Sequence, residues 1–147
     1  MVSQNKSCAV RVLQIMLDEI RIIEEQKSNE FEIPVVQVHA IFEIGKSNDI
    51  SMSELSRAVY LDKTTTNKIV NNLVDEKFVL RHIHPEDKRH VIIKLTENGQ
   101  KIYKGICEDF SFYCKNILDS IPKENKRSMM ENFDVLMESI KNNSNSY

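Results

Sequence analysis

The sequence predicts a mainly α-helical protein with one small β-hairpin, which is an α+β fold. The chain has 147 residues but only three glycines and three prolines, and this scarcity favours long helices joined by few loops. Apolar residues recur at helical spacing through most of the chain, whereas the period shortens to two between residues 78 and 95. The helical periodicity and the single alternating stretch together define this fold class.

Two helices are expected before the centre of the chain. Residues 8–27 carry an apolar stripe at helical spacing, and the polar residues 28–30 then form a connection. Pro34 suits the first turn of a second helix, where its missing N–H costs little. We expect this second helix to stop near Gly45, which would provide a left-handed C-terminal cap.

The next two helices are short and close together in the sequence. Ser51 and Glu54 form a capping-box pattern that opens one helix, and Asp62 caps the next helix after a break at residues 60–61. The expected buried stripe of the second of these helices is Ile69, Val70, Leu73 and Val74. Two short helices separated by three or four residues are typical of a helix-turn-helix.

The alternating stretch forms a hairpin directly after these helices. Its strands are expected at residues 78–84 and 90–95, joined by the charged turn 85–89. If His84 faces His90, one face of the hairpin is apolar and consists of Val79, Ile83, Val91, Ile93 and Leu95. The opposite face then carries His82, His84, His90 and Lys94. A charged hairpin beside the second short helix predicts a winged helix-turn-helix.

Two long helices complete the chain. Thr96 caps a helix at about 97–119, Pro122 starts the last helix, and residues 142–147 are expected to fray. We expect one domain over residues 1–147, with a winged helix-turn-helix core at about 33–96 and dimerisation helices at about 5–28 and 97–142.

The first and last helices carry more apolar surface than one small domain needs. Two subunits could bury these faces together, so a homodimer is predicted; burial within one chain is the alternative. The residues assigned to the dimer interface are Leu13, Leu17, Ile20, Phe133, Leu136, Met137 and Ile140.

Composition and charge restrict the function. The sequence has no run of about 18 to 20 apolar residues that would span a membrane, and its first nine residues lack the apolar core of a signal peptide, so we expect a cytoplasmic protein. The net charge is −2, yet residues 62–94 contain seven cations and five anions, a local excess of two positive charges. The three cysteines are an odd number and do not predict a disulfide framework.

Polar and basic residues cluster on the second of the two short helices and at the tip of the hairpin. The exposed side of the helix after Asp62 carries short hydrogen-bonding groups and two cations, which suit the major groove; the alternative is an ordinary solvated helix face. These residues are Lys63, Thr64, Thr65, Asn67, Lys68 and Asn71. At the hairpin tip, Lys88 and Arg89 suit a phosphate or a narrow minor groove, and Asp87 could orient Arg89.

Residues 33–100 resemble the multiple-antibiotic-resistance regulator (MarR) family of bacterial transcription factors. The most specific feature is an Asp-x-Arg wing tip that runs into a Leu-Thr-x-x-Gly helix start. The stretches that carry the resemblance are residues 53–56, 62–73, 85–89 and 94–99. The sequence departs from the family at Lys77 and Phe78, where a small, glycine-like turn residue is common.

The resemblance implies a homodimer that binds a pseudo-palindromic operator in double-stranded DNA, with Arg89 in the minor groove. It also implies a pocket for a small aromatic or lipophilic effector, and the residues expected there are Met16, His39, Phe42 and Phe110. We therefore expect a repressor of nearby genes that a small molecule modulates.

Two other functions remain open. Cys8, Cys107 and Cys114 could make the protein a redox-responsive regulator of the same fold, or the winged helix could bind a protein instead of DNA. No catalytic constellation, cofactor or metal site is expected, since three histidines on a hairpin lack the further ligands that Zn²⁺ requires.

Overall fold

The computed structural model describes residues 2–83 and 91–144, and the side chains of residues 10–83 and 91–143. The chain divides into two compact units, one through Phe110 and one from Ser111 onward. The elements are α1 (Val2–Phe31), α2 (Val35–Ser47), β1 (Ile50–Ser51), α3 (Met52–Ala58), α4 (Lys63–Asp75), β2 (Val79–Ile83), β3 (Val91–Leu95), α5 (Glu97–Ser120) and α6 (Lys123–Ser144). The mainly α architecture with a small antiparallel wing is confirmed.

The core of the first unit is formed by aliphatic residues of α2, α3, α4, β3 and α5. The fully buried ones are Val38, Ile41, Ile44, Leu55, Val70, Leu73, Ile93, Ile102 and Ile106. Since α3 and α4 place their buried residues in this common core, their opposite faces are left to the solvent.

The first helix is longer than the sequence predicts. Residues 28–30, expected as a connection, are the last turn of α1. The Ile33 N–H donates to the Ser28 carbonyl at 3.1 Å, and Glu32 between them has a φ of 55°. This is a left-handed helix end, which usually contains glycine, so no residue type in this stretch predicts it.

Gly45 was expected as the cap of α2, and that expectation is wrong. The helix continues to Ser47, and Asn48 takes a positive φ of 59° after it. Gly45 is buried inside α2, where a Cβ would overlap the ring of Tyr103 from α5. This glycine therefore permits a close approach between two helices rather than a turn.

The helix-turn-helix starts as predicted. The Ser51 side chain accepts the Glu54 N–H while the Glu54 carboxylate accepts the Ser51 N–H at 2.9 Å, which completes the capping box. The turn then ends α3 with Tyr60 at a φ of 56°, and the Leu61 N–H donates to the Ser56 carbonyl at 3.0 Å. The break expected at residues 60–61 is thus confirmed.

The wing is a three-stranded antiparallel sheet in the order β1-β3-β2. The pairs Val79–Leu95 and Ile83–Val91 agree with the predicted register, while the two-residue strand β1, which pairs Ile50 with Ile93, was not predicted. The expected apolar face is only partly buried: Val79 and Ile93 are in the core, but Ile83 and Val91 are 66% and 40% exposed. Periodicity identified the face but not how far the core covers it.

The last helix extends beyond its predicted end. The expectation of fraying from residue 142 is wrong as far as Ser144, where α6 ends, and residues 145–147 lie outside the described part of the chain. Several apolar side chains of α6 are exposed, including Phe133, Leu136, Met137 and Ile140.

Thr96 joins the base of the wing to α5. Its N–H donates to the Phe78 carbonyl at 3.0 Å, its hydroxyl donates to the Lys77 carbonyl at 2.6 Å, and its hydroxyl oxygen accepts the Gly99 N–H at 3.2 Å. A Cβ at Gly99 would overlap the same Phe78 carbonyl. The Leu-Thr-x-x-Gly spacing therefore encodes both a helix cap and a close backbone approach.

We expect Gly99→Ala to lower the free energy of unfolding by about 2 kcal/mol or more, because the added Cβ must displace backbone rather than a flexible side chain. Urea denaturation followed by circular dichroism measures this loss. Gly105→Ala in the same helix is the matched control. Its Cβ would meet only the end of the Lys27 side chain, at 3.3 Å, so the higher helix propensity of alanine offsets any loss. Equal effects of the two substitutions would contradict this account of Gly99.

Candidate nucleic-acid interface

The exposed face of α4 carries the residues that the sequence assigned to DNA. Thr66, Ile69, Val70 and Leu73 turn inward and are buried. The outward positions are therefore the polar ones, and all six assigned side chains are exposed: Lys63, Thr64, Thr65, Asn67, Lys68 and Asn71. The fold presents these six residues together on one helix.

Asp62 holds the first turn of α4. Its carboxylate accepts the Thr65 N–H at 2.9 Å and the Thr65 hydroxyl at 2.6 Å. These hydrogen bonds, first that from the Thr65 side chain, lower the pKa of Asp62 below its ordinary value, so it is a carboxylate at neutral pH. The start of α4 thus already has an anion, and a phosphate there would meet a negative charge.

The same contact changes what Thr65 can do. Because its hydroxyl proton is directed to Asp62, the outward group that remains is the oxygen, which can only accept. Thr66, its neighbour, is buried and its hydroxyl donates to the Asp62 carbonyl at 2.8 Å. Thr64, the first of the three consecutive threonines, is exposed, and no described hydrogen bond joins its hydroxyl to Asp62.

Arg81 is a further candidate that sequence reasoning missed. It is exposed on β2, and its Nη2 donates to Asn67 Oδ1 on α4 at 2.9 Å. The alternation of β2 was the available signal, because it puts Arg81 on the same side as the buried Val79. The hydrogen bond connects the wing to the helix whose outward face carries the assigned residues.

A surface depression between α3 and α4 adds one further cation, Arg57, beside Lys63 on this side of the protein. It is lined by Ser53, Ser56, Arg57, Tyr60, Leu61, Asp62 and Lys63. Arg57 and Lys63 are both exposed. Their positions flank the turn of the helix-turn-helix, where cationic groups can contact a phosphate backbone.

The wing tip is not described. Asp87, Lys88 and Arg89, assigned from the sequence to DNA contact and its support, lie outside the described residues, as do His84 and His90. At the base of the wing, Lys94 Nζ lies 2.7 Å from Asp49 Oδ1, so this lysine binds a loop carboxylate. His82 is exposed on the strand face opposite to Arg81.

The residues expected to form an effector pocket are only partly brought together. The rings of Phe42 and Phe110 are in contact, with centroids 5.6 Å apart, and Met16 is exposed on α1. His39 Nδ1 lies 2.7 Å from Glu24 Oε1, and this hydrogen bond raises the pKa of His39 above its ordinary value of 6.5. His39 is therefore a bonded histidine that links α2 to α1.

The helices assigned to dimerisation expose apolar stripes in both units. On α1, Leu13 and Leu17 are exposed, the latter by 64%, and Ile20 is half-buried. On α6, all four assigned residues are exposed, with Leu136 at 46%. Cys107 is half-buried and Cys114 exposed, and both are free thiols.

A helix-turn-helix followed by a three-stranded wing, with long helices before and after it, defines a winged helix-turn-helix protein. The sequence model of the MarR family matches residues 33–91, a segment that runs from the start of α2 through β2. The chain is 23% identical over 113 residues to the uncharacterized HTH-type transcriptional regulator YfiV of Bacillus subtilis, covering 77% of this chain and 71% of that protein.

Solved structures have the same fold. Streptococcus pneumoniae FabT in complex with DNA matches with a TM-score of 0.72 and 20% identity, over 93% of this chain and 98% of that one. Staphylococcus aureus MepR bound to ethidium bromide matches with a TM-score of 0.63 and 19% identity, over 89% and 95%. The MarR family model thus matches the part of the chain that carries the helix-turn-helix and strand β2 of the wing, and the curated relative is an HTH-type transcriptional regulator. In the described part of the chain, no helix is both long and apolar enough to cross a bilayer.

We expect the Glu24–His39 hydrogen bond to make stability depend on pH. Because folding raises the His39 pKa, the stabilisation is complete below about pH 6.5 and is lost as pH rises through the raised value. Thermal unfolding of the wild type and His39→Gln between pH 5.5 and 9 measures it. The difference in unfolding temperature between the wild type and His39→Gln should shrink as pH rises, since glutamine does not titrate. A constant difference between the two proteins would show that His39 carries no extra proton in the folded state.

Proposed function

We propose that the chain is a sequence-specific DNA-binding regulator that inserts the outward face of α4 into the major groove. The observation that carries this proposal is the grouping of six polar and basic side chains on an exposed face of a helix with a well-capped start. Thr and Asn side chains suit base edges, and lysines suit guanine or phosphate. The wing, with Arg89 at its tip, would then contact the neighbouring minor groove or backbone.

The charge distribution supports DNA over a protein partner. The six assigned residues of α4 are neutral or cationic, and Arg57 and Arg81 add positive charge beside them. A winged helix that binds only protein would be expected to present an acidic or apolar face here. A structurally similar protein, FabT, has been solved with DNA, which supports the same use of this fold.

Duplex binding should weaken steeply as salt rises, because contacts with phosphate release counterions. We expect Lys68→Ala and Arg89→Ala each to weaken binding by about 1–3 kcal/mol and to lower the slope of log affinity against log salt by about 1. Fluorescence anisotropy with a labelled operator, obtained by selection from random duplexes, measures both. Lys104→Ala, at an exposed lysine of α5, is the control and should leave the slope unchanged. Salt-independent binding would contradict the proposal.

We further propose that the regulator works as a homodimer. The exposed stripes on α1 and α6 are apolar surface that a second copy could bury. A two-fold dimer would present two copies of α4 about 34 Å apart, which is one turn of DNA, and would read a pseudo-palindromic operator. Such a dimer would act in the cytoplasm, where the chromosome is.

We expect Leu136→Glu to convert the dimer to a monomer at micromolar concentration, because a charge in the interface would be buried without a partner. Light scattering after size exclusion measures the mass, and circular dichroism checks the fold. Asn142→Glu, on the other side of α6 from the centre of the stripe, should remain dimeric. A wild-type protein that stays monomeric at every concentration would refute the dimer, and with it the palindromic operator.

The proposed regulation is repression of nearby genes, relieved by a small aromatic or lipophilic molecule. Phe42 and Phe110 provide aromatic surface next to His39 on α2, and MepR, which has the same fold, was solved with ethidium bromide. An effector that binds one arrangement of the two DNA-reading helices better than another would shift DNA affinity by that difference.

A further inference from the structure

The hydrogen bond between Arg81 and Asn67 restricts how α4 can read a base. Arg81 Nη2 donates to Asn67 Oδ1 at 2.9 Å. The cross-strand neighbour of Arg81 is Ile93, whose side chain offers no acceptor. The guanidinium instead donates to Asn67, which lies on the outward face of α4.

The chemistry of the two groups fixes the orientation of the Asn67 amide. A guanidinium has only donors, so it can face the carbonyl oxygen of an amide but not its NH₂ group. With one of the two lone pairs of Oδ1 directed to Arg81, a further donor can approach this oxygen only beside the cationic guanidinium, whereas Nδ2 keeps its two N–H donors for a ligand. A free asparagine could instead rotate by half a turn and present either edge.

We propose that Arg81 is a positioning residue that makes Asn67 read a base mainly through its N–H donors and so biases the operator against adenine at one position. This inference rests on the proposed DNA binding through α4. The usual asparagine–adenine pair is bidentate, since Oδ1 accepts from adenine N6 while Nδ2 donates to N7. In this protein that oxygen already accepts from Arg81, so adenine N6 would have to donate to it beside a cationic donor.

The bases that suit an asparagine reading through its N–H donors follow from the edges of the major groove. Guanine presents two acceptors, O6 and N7, and thymine presents O4. Adenine presents one acceptor, N7, next to an amino group that would face the Asn67 donors. The position under Asn67 is therefore expected to prefer guanine or thymine.

A simple phosphate contact is the competing role for Arg81, and its signature is different. Loss of a phosphate contact weakens binding to all sequences alike and lowers the salt slope by about 1. Loss of the positioning contact changes the base preference at one position. The two roles can be separated because they predict different measurements on the same variant.

The experiment is selection of bound sites from random duplex DNA with the full-length wild type and variants, each checked for folding by circular dichroism. Asn67→Ala first identifies the operator position that depends on Asn67. At that position we expect Arg81→Ala to increase the preference for adenine over guanine about tenfold, within the range of one bidentate pair. Arg81→Lys, whose ammonium also only donates, should keep the wild-type preference. Arg57→Ala removes one exposed cation of the helix-turn-helix without altering the Arg81–Asn67 hydrogen bond, and it should leave the base preference at that position unchanged.

The double variant Arg81→Ala with Asn67→Ala provides the internal test. If Arg81 acts through Asn67, the double variant has the same base preferences as Asn67→Ala alone. The inference is overturned if Arg81→Ala keeps the wild-type preference at that position, whether or not overall affinity falls. A wild type that selects no duplex would instead refute the proposed function, and the inference would fall with it.

Discussion

The backbone carbonyl of Phe78 is the point on which the arrangement of α4, the wing and α5 depends. It accepts the Thr96 N–H at 3.0 Å, and Gly99 packs against it without a side chain. The Phe78 N–H in turn donates to the Leu73 carbonyl at 2.9 Å, at the end of α4. The backbone of this one residue thereby fixes the end of the outward-facing helix, the start of β2 and the start of the long helix that follows. The direction in which the wing leaves α4, and hence the Arg81–Asn67 contact, is a consequence of that junction.

Helix starts were predictable from the sequence because their signals are local. Ser51, Asp62 and Thr96 each cap the helix that was assigned to them. A short polar side chain at a fixed distance before an apolar stripe satisfies backbone donors that would otherwise be unpaired. The buried stripe of α4 and the strand register of the wing were predicted for a similar reason, since periodicity determines which side of an element faces the core.

Helix ends and side-chain contacts were harder to predict from the sequence. Glu32, Tyr60 and Lys77 occupy left-handed positions after α1, α3 and α4, whereas the usual sign of such an end is glycine. All three glycines of the chain lie among the described residues, and none has a positive φ. At Lys77, where the family commonly has a small, glycine-like turn residue, the backbone of this chain takes a left-handed conformation. Arg81 was missed because the alternation of β2 predicts its side of the strand but not its partner Asn67, which is fourteen residues away on another element.

The left-handed turns at Glu32, Tyr60 and Lys77, none of which contains glycine at that position, also affect how this protein can be engineered. A side chain with a Cβ costs about 1–2 kcal/mol in that conformation, and glycine would remove the strain at some entropic expense in the unfolded chain. Glycine at Glu32, Tyr60 or Lys77 would therefore relieve backbone strain in the folded state. All three residues lie in turns and not among the assigned base-reading side chains. Glycine substitutions there could give a stabilised variant for co-crystallisation with an operator while the DNA-reading residues stay unchanged.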